Sequence, residues 1–372
     1  MPPIRVLHMI GCLEVGGSQI MVMNIYRNID RQKVQFDFII DNEVESPLKK
    51  EIAELGGKIY MMPKFNGKNG LMVRKQWDSF FKKHREYEIL HSHVRSYASL
   101  YLPIAKMNGL TTIIHSHNTS NGNGITSIAK KILQYPLRYQ ADYYFACSQY
   151  AGEWLFGKKA VERENFKIIA NAIDTSKYKY SQKARNKIRE EFNISDDTYV
   201  IGNIGRFQSQ KNHTFIIDCF NEIHKIVKNS ILLLVGTGDL KKQIKEKVRK
   251  LGLEESVILT GVRKDIPELL FAMDLFLFPS RWEGLGIVAI EAQASGLPVI
   301  CSDVVPKETK VTNLIKYISL DKPASYWAER ILLYKSNANR IDRIQEVKNS
   351  GFDIVSISLW LQNFYVKLEK QK

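Results

Sequence analysis

The chain has 372 residues, 44% of them apolar and 25% charged, a balance that excludes a disordered or membrane-spanning protein and favours two domains of roughly 150 to 200 residues each. A formal net charge of +15 calls for an anionic partner, whether phosphate, nucleic acid or acidic lipid. Cys12, Cys147, Cys219 and Cys301 are scattered and form no C-x-x-C pair, which argues against a disulfide framework or a thiolate zinc site and for a reducing compartment.

The N-terminal run, residues 5–10, reads as a short strand; it lacks the longer apolar segment and cleavage site of a signal peptide, and no run has the length of a membrane span. Strand-like runs at 5–10, 36–40 and 89–93 alternate with helical patterns at 19–26, 48–55 and 99–107, and further strands fit 111–115, 143–147 and 167–170. That alternation is the signature of a parallel, doubly wound sheet. The pattern begins again after Asn171-Ala172-Ile173-Asp174, with strands at 199–204, 231–235, 257–260, 275–279 and 298–301 and helices at 213–227 and 240–251. Trp360, Phe364 and Leu368 share a helical face in a closing segment, 354–368.

Glu283-Gly284-Leu285-Gly286-Ile287-Val288-Ala289-Ile290-Glu291 places two carboxylates around a glycine turn that opens a helix and follows the strand at 275–279. Ligands of parallel sheets bind at the carboxyl edge, glycines admit close backbone approach, and carboxylates accept hydrogen bonds from sugar or ribose hydroxyls. A helix cap at Glu283 and a solvated Glu291 is the plain alternative. Gly205-Arg206, with Lys211 and Asn212 further along the same loop, follows another strand. A guanidinium and an ammonium suit a diphosphate whose leaving-group charge must be stabilised, and Asn212 is placed to cap the next helix; two solvated cations are equally compatible with the spacing.

Glu14-Val15-Gly16-Gly17-Ser18-Gln19 is a third turn between strand and helix, without the G-x-G-x-x-G fingerprint. Its N–H groups suit a phosphate or an acceptor, and a purely structural turn fits as well. His91-Ser92-His93 and His115-Ser116-His117 end two strands; with no carboxylate or thiolate at ligand spacing, packing roles are expected for three of them and no metal site is expected. His117, which leads into a polar loop, is the candidate for a substrate hydroxyl. Between Lys58 and Arg85, eight cations face one acid, Asp78. There Val73, Trp77, Phe80 and Phe81 share one helical face, which either lies on an anionic membrane or packs on the sheet.

In combination and in this order, these pieces resemble the retaining GT-B glycosyltransferases of family 4 (glycosyltransferase group 1) over essentially the whole chain. Within that family, His115-Ser116-His117-Asn118-Thr119 and Cys301-Ser302-Asp303-Val304-Val305-Pro306-Lys307-Glu308 are most similar to bacterial capsular and exopolysaccharide transferases. The resemblance implies two Rossmann-like doubly wound domains facing a cleft: an acceptor-binding domain at 1–175, a nucleotide-sugar domain at 176–353, and a C-terminal helix, about 354–372, packing back on the first. It implies a UDP-sugar donor, no cofactor and no metal, and a saccharide acceptor carried on polyprenyl diphosphate at the cytoplasmic face of the membrane. Nucleic acid is not an expected partner. Arg206 and Lys211 would grip the diphosphate beside Gly205, Glu291 the ribose and Glu283 the transferred sugar. Backbone at Gly286 and Ile287 would help with phosphate and backbone near Arg263 with the base, while Gly16, Gly17 and His117 would serve from the first domain, His117 near the reacting carbon. Leu285, where the family often has an aromatic, and the 301–308 stretch depart from the family pattern. A nucleotide-sugar epimerase, which needs no acceptor, and a non-catalytic membrane or nucleic-acid binder are the alternatives; neither accounts for the paired glutamates.

Overall fold

The computed structural model describes residues 2–14, 16–117, 125–333 and 340–370. Asn118 and Thr119 of the second histidine motif, and Val15 of the glycine turn, lie outside them. Seven strands form one parallel sheet: β1 (Ile4–Gly11), β2 (Val34–Ile40), β3 (Ile59–Met61), β4 (Ile89–Ser92), β5 (Thr111–Ser116), β6 (Tyr143–Ala146) and β7 (Phe166–Ile168), in the order β3-β2-β1-β4-β5-β6-β7. Six more form a second parallel sheet: β8 (Tyr199–Ile204), β9 (Ser230–Val235), β10 (Val257–Gly261), β11 (Leu275–Phe278), β12 (Val299–Ser302) and β13 (Ile315–Ile318), in the order β10-β9-β8-β11-β12-β13. Both orders reverse direction beside the first strand of the sheet, as doubly wound sheets do.

Contacts divide the chain into one unit of Met1–Ala172 with Phe352–Lys372 and another of Ile173–Gly351; the sequence reading placed the change at 175/176. Strands covered on both faces read as unbroken apolar runs, and β2, with all seven residues buried, and β11, Leu-Phe-Leu-Phe, are such strands. The one charge in β2, Asp37, is matched by the Arg5 guanidinium at 2.6 Å, the Tyr87 hydroxyl at 2.7 Å and the Lys58 backbone N–H at 2.6 Å. In the second unit, buried Arg189 ties the helix Gln182–Glu191 to Asp274 at 2.7 Å and fills its remaining donors with carbonyls of Ala272, Ser195 and Thr198.

The closing helix, Ile354–Lys370, belongs to the first unit. Leu361, Tyr365 and Leu368 join the core beneath β1 and β2, and Phe364 meets Tyr143 edge-on at 5.0 Å. The basic helix, Gly70–Lys83, turns its stripe inward: Val73, Trp77 and Phe81 are buried, and Trp77 stacks on Tyr101 at 4.4 Å. That apolar face is therefore core and is not available to a membrane, because leaving an indole and a phenyl exposed would forgo several kcal/mol of burial, about 2 each. To solvent the helix shows Leu71, Met72, Gln76, Ser79 and its cations, and all eight cations of the stretch, Lys58 to Arg85, are exposed.

Candidate active site

In the second unit Gly205, Arg206 and Lys211 lie on the loop after β8 and Glu283 and Gly286 on the loop after β11, whereas Arg263 follows β10 and Glu291 lies in the helix beyond the second loop. Lys211, in the loop after β8, donates from Nζ to Glu283 Oε1 at 2.6 Å and lies 4.7 Å from the centre of the Phe278 ring. Both side chains are mostly buried, 17% and 7% exposed. The loop that carries Glu283 is laced to the β8 loop by Arg281 N–H to the Gln210 carbonyl at 2.8 Å and by Gln210 Nε2 to the Trp282 carbonyl at 2.9 Å. Asn212 does not cap its helix as expected. It sits in the left-handed region at φ 57°, and its amide donates across to the Pro279 carbonyl at 3.2 Å, so it joins the two loops instead.

Two glycines are demanded by this packing. Gly286 has φ +81°, a conformation L side chains rarely adopt, and it starts the helix Ile287–Ala294 with Phe278 pressed 3.0 Å from where a Cβ would stand. Gly236, after β9, has φ +136°, and a Cβ there would meet the Gly205 carbonyl oxygen at 2.1 Å. Gly236 and its neighbour Gly238 were missed in the sequence, although Val235-Gly236-Thr237-Gly238 after an apolar strand is a readable signal.

Glu291 lies about one turn into its helix, not two as its spacing from Glu283 suggested, because the helix begins only at Ile287. It is half-buried, and desolvation pushes its carboxyl up to about 7 against the opposing hydrogen bond with Tyr178. Tyr178, on the turn Thr175–Tyr178, was not singled out from the sequence, where nothing links it to Glu291. Arg206 is exposed. The Arg263 guanidinium, after β10, is held by Glu191 and Asp265, both at 2.5 Å, so its backbone, and not its side chain, is what that loop offers a ligand.

In the first unit, Gly16 precedes the helix Gly17–Asn28, and a Cβ at Gly17 would lie 4.0 Å from Asn171 Nδ2. Asn171 also meets His117, so the glycine turn and the candidate histidine share a neighbour. Alternate residues of a strand face one side, so each H-x-H motif sends both rings to the same face, and the neighbouring strands β1, β4 and β5 bring them together. His8, which pairs with His91 across β1 and β4, completes five imidazoles. Two end-to-end chains result: His8 Nδ1 to His93 Nε2 at 3.0 Å and His93 Nδ1 to His117 Nε2 at 2.8 Å; and Tyr365 hydroxyl to His91 Nδ1 at 2.7 Å, with His91 Nε2 to His115 Nδ1 at 3.3 Å. The chains stack face to face, His91 on His93 at 4.3 Å and His115 on His117 at 4.0 Å.

Burial pushes His8 and His117 down to about 3, with the Arg95 charge adding to the effect on His117, and holds His91, His93 and His115 well below the usual imidazole range. All five are neutral near pH 7. Two trios, His8/His91/His93 and His93/His115/His117, bring ligand atoms within 4.8 Å of one another and could hold an ion by distance alone. Direction argues for shared protons: in both links of the first chain the ring centres are only 2.3 Å further apart than the nitrogens (5.3 against 3.0 Å, 5.1 against 2.8 Å), so the nitrogens face each other and not a common third point.

Two parallel doubly wound sheets, with glycine-bounded basic and acidic loops at the carboxyl edge of the second, define a glycosyltransferase of the GT-B class. The chain belongs to the family 4, or group 1, glycosyltransferases: residues 15–177 match the family described as Glycosyltransferase Family 4, and residues 184–346 match Glycosyl transferases group 1. It is 32% identical to EpsF of Bacillus subtilis, itself assigned as a glycosyltransferase, over 88% of this chain and 86% of that one. It is 25% identical to the Escherichia coli UDP-Gal:alpha-D-GlcNAc-diphosphoundecaprenol alpha-1,3-galactosyltransferase over 60% of this chain and 59% of that one. Among solved structures, a glycosyltransferase from Rickettsia africae superposes with a TM-score of 0.81 at 18% identity over the full length of both chains. Anabaena HepE in complex with UDP-glucose superposes with a TM-score of 0.76 at 18% identity, covering 97% of this chain and 98% of that one.

Proposed function

We propose that the protein is a retaining, metal-independent glycosyltransferase that moves a sugar from a UDP-sugar to a saccharide on polyprenyl diphosphate, at the cytoplasmic face of a membrane, in capsule or exopolysaccharide synthesis. The observation that carries the reading is the Lys211–Glu283 pair, held at the mouth of the second sheet by loops whose glycines leave no room for side chains. A diphosphate placed there gains the Lys211 ammonium and the Arg206 guanidinium as its leaving-group charge develops, which is the term that most lowers such a barrier. Glu283, its charge shared with Lys211, accepts from hydroxyls of the transferred sugar, and Glu291 with Tyr178 accepts from the ribose. Gly286 and Ile287 offer backbone N–H at a helix start, and the backbone beside Arg263 faces the base.

His117 is neutral at physiological pH and so serves as a hydrogen-bond partner near the reacting carbon, neither a cation nor a base. The acceptor proton then goes to the departing phosphate oxygen, on the face the sugar leaves, and configuration is retained. The named donor and lipid-linked acceptor of the Escherichia coli relative, and UDP-glucose in the Anabaena structure, favour a UDP-sugar and a polyprenyl carrier. No helix among the described residues is long and apolar enough to cross a membrane, so contact with such an acceptor falls to surface groups, among which the exposed cations from Lys58 to Arg85 with Leu71 and Met72 are the best suited.

The test supplies radiolabelled UDP-glucose, UDP-galactose and UDP-N-acetylglucosamine in EDTA to the protein with membranes carrying lipid-linked saccharides. Label passing into organic-extractable lipid with wild type and not with Arg206→Ala supports the reading. Failure of every donor, or transfer that requires added divalent metal, overturns it in the corresponding part.

A further inference from the structure

A second cluster of positive charge lies in the first unit, away from the histidine chains. A cavity of about 240 Å³ opens between the helices Ile125–Gln134 and Gln149–Phe156, lined by Lys131, Gln134, Tyr135, Arg138, Trp154 and Leu155. No carboxylate lines it. Arg138 Nε is buried and makes no hydrogen bond among the described residues, and neither Arg138 nor Lys131 is matched there by a carboxylate. A buried guanidinium N–H without an acceptor is a costly defect, which an anion removes. The group is also held in place: its Cζ lies 5.0 Å from the centre of the Tyr135 ring, and its Nη1 lies 3.4 Å from where a Cβ would stand on Gly157. Gly157 ends the helix Gln149–Phe156 at φ +86°, so a side chain there would be strained as well as crowded.

A planar guanidinium and an ammonium around one acid-free cavity suit phosphate oxygens. A free phosphate needs nothing more, yet the rim is apolar and aromatic: Ile132 is 69% exposed, Tyr135 58% and Tyr139 65%, with the Arg163 guanidinium 5.7 Å from the Tyr139 ring. Tyrosines and cations beside exposed aliphatic carbon are the composition of a lipid interface. Trp77 of the basic helix shares one core with Leu137 and Leu155, so the cavity opens on the sheet face that also carries the exposed cations of that helix. Trp154, which lines the cavity, is covered by the Arg95 guanidinium at 4.7 Å, and the charge of Arg95 bears on His117. One indole and one guanidinium thus stand between the cavity and the candidate site of this unit.

We infer that this cavity binds the diphosphate of a polyprenyl-linked acceptor, with Arg138 and Lys131 pairing with the phosphates and Ile132, Tyr135 and Tyr139 carrying the first part of the isoprenoid chain. The inference rests on the proposed reading of the acceptor and gives that acceptor a place in the first unit. The phosphates are held apart from the donor's diphosphate, whose cations, Arg206 and Lys211, belong to the second unit. The exposed cations from Lys58 to Arg85 then meet the leaflet as a surface, whereas the cavity selects one head group.

Farnesyl diphosphate, titrated into the whole protein with UDP saturating so that the donor site is filled, tests this by calorimetry. The expected result is binding by wild type that falls about tenfold in Arg138→Met and about fivefold in Lys131→Ala, with UDP affinity unchanged in both. Lys131 is exposed, so its variant decides the matter should Arg138→Met fail to fold. Farnesyl diphosphate affinity indifferent to both substitutions overturns the site. Pyrophosphate binding as tightly as farnesyl diphosphate assigns the cavity to a free phosphate, and displacement of farnesyl diphosphate by phosphatidylglycerol vesicles assigns it to the leaflet; either overturns the acceptor. Absence of UDP binding in wild type defeats the transferase reading and the acceptor with it, while the dependence of farnesyl diphosphate binding on Arg138 still judges the phosphate site.

Discussion

In the first unit, five imidazoles within and just beyond β1, β4 and β5 are packed in two stacked chains, held neutral by burial. In the second unit, the corresponding ends of β8 and β11 carry a lysine and a glutamate in direct contact, and Glu291 raised to about 7. One sheet thus presents directed, uncharged hydrogen bonds and the other presents charge. The difference matches two tasks, since a sugar hydroxyl is selected by paired donors and acceptors whereas a departing diphosphate is stabilised by cations.

The largest expected effect breaks the charged side of this comparison. Lys211→Met leaves Glu283 buried without its partner, which costs about 3–5 kcal/mol of stability in the second unit, and turnover should fall by about 100- to 1,000-fold. Denaturant titration and initial rates read the two separately; a stable variant with normal turnover would dissolve the role given to the pair.

Acid should then act on the units in opposite directions. His8 and His117 titrate near 3 when folded and about 6.5 when unfolded, so the stability each contributes is complete above 6.5 and is lost as pH falls toward 3, about 2 kcal/mol each at pH 5. Glu291, raised from 4.5 to about 7, works the other way: its unfavourable burial is relieved as pH falls through 7, about 2 kcal/mol by pH 5. Hydrogen exchange at pH 7 and pH 5, corrected for intrinsic rates, should show protection lost in β1, β4 and β5 before β8 and β11. Equal loss would contradict the contrast.

These groups also show what the sequence could and could not reveal. The strand and helix alternation was legible because buried parallel strands are apolar runs, and β8 matches its expected bounds, 199–204. β3 escaped because it is a three-residue edge strand with Met61 exposed, and β13 because only its first and last residues are buried. The Glu283–Glu291 loop was visible as spacing, but its tie to Lys211 and the approach of Tyr178 to Glu291 depend on which strands neighbour each other. The same is true of His8: nothing in Arg5-Val6-Leu7-His8 marks it as the start of a chain ending at His117, and only the order β1-β4-β5 does so. The stripe of the helix Gly70–Lys83 was read correctly as one face, while its destination, core or membrane, was left open by periodicity alone.

A smaller effect sharpens the role of Glu291. Because ribose hydroxyls donate to a carboxylate, UDP-glucose, whose phosphates do not titrate near neutrality, should bind about tenfold more tightly at pH 8 than at pH 6, in step with ionisation of a group near 7. Glu291→Gln should flatten that profile; a profile unchanged by the substitution would remove Glu291 from the ribose. The smallest effect concerns the basic surface. Lys75→Ala with Lys83→Ala removes two exposed cations from the helix Gly70–Lys83 and should weaken binding to phosphatidylglycerol vesicles by about 1 kcal/mol per charge, while donor turnover on a soluble acceptor stays constant. Loss on both counts would sink the membrane role.

The most direct test of the central claim is calorimetric titration of the purified protein with UDP in EDTA, on wild type and on Glu291→Ala confirmed to be folded. Saturable binding by wild type that the substitution weakens at least tenfold is the expected result. No UDP binding, or equal binding by both proteins, would contradict a nucleotide-sugar site built on the second unit.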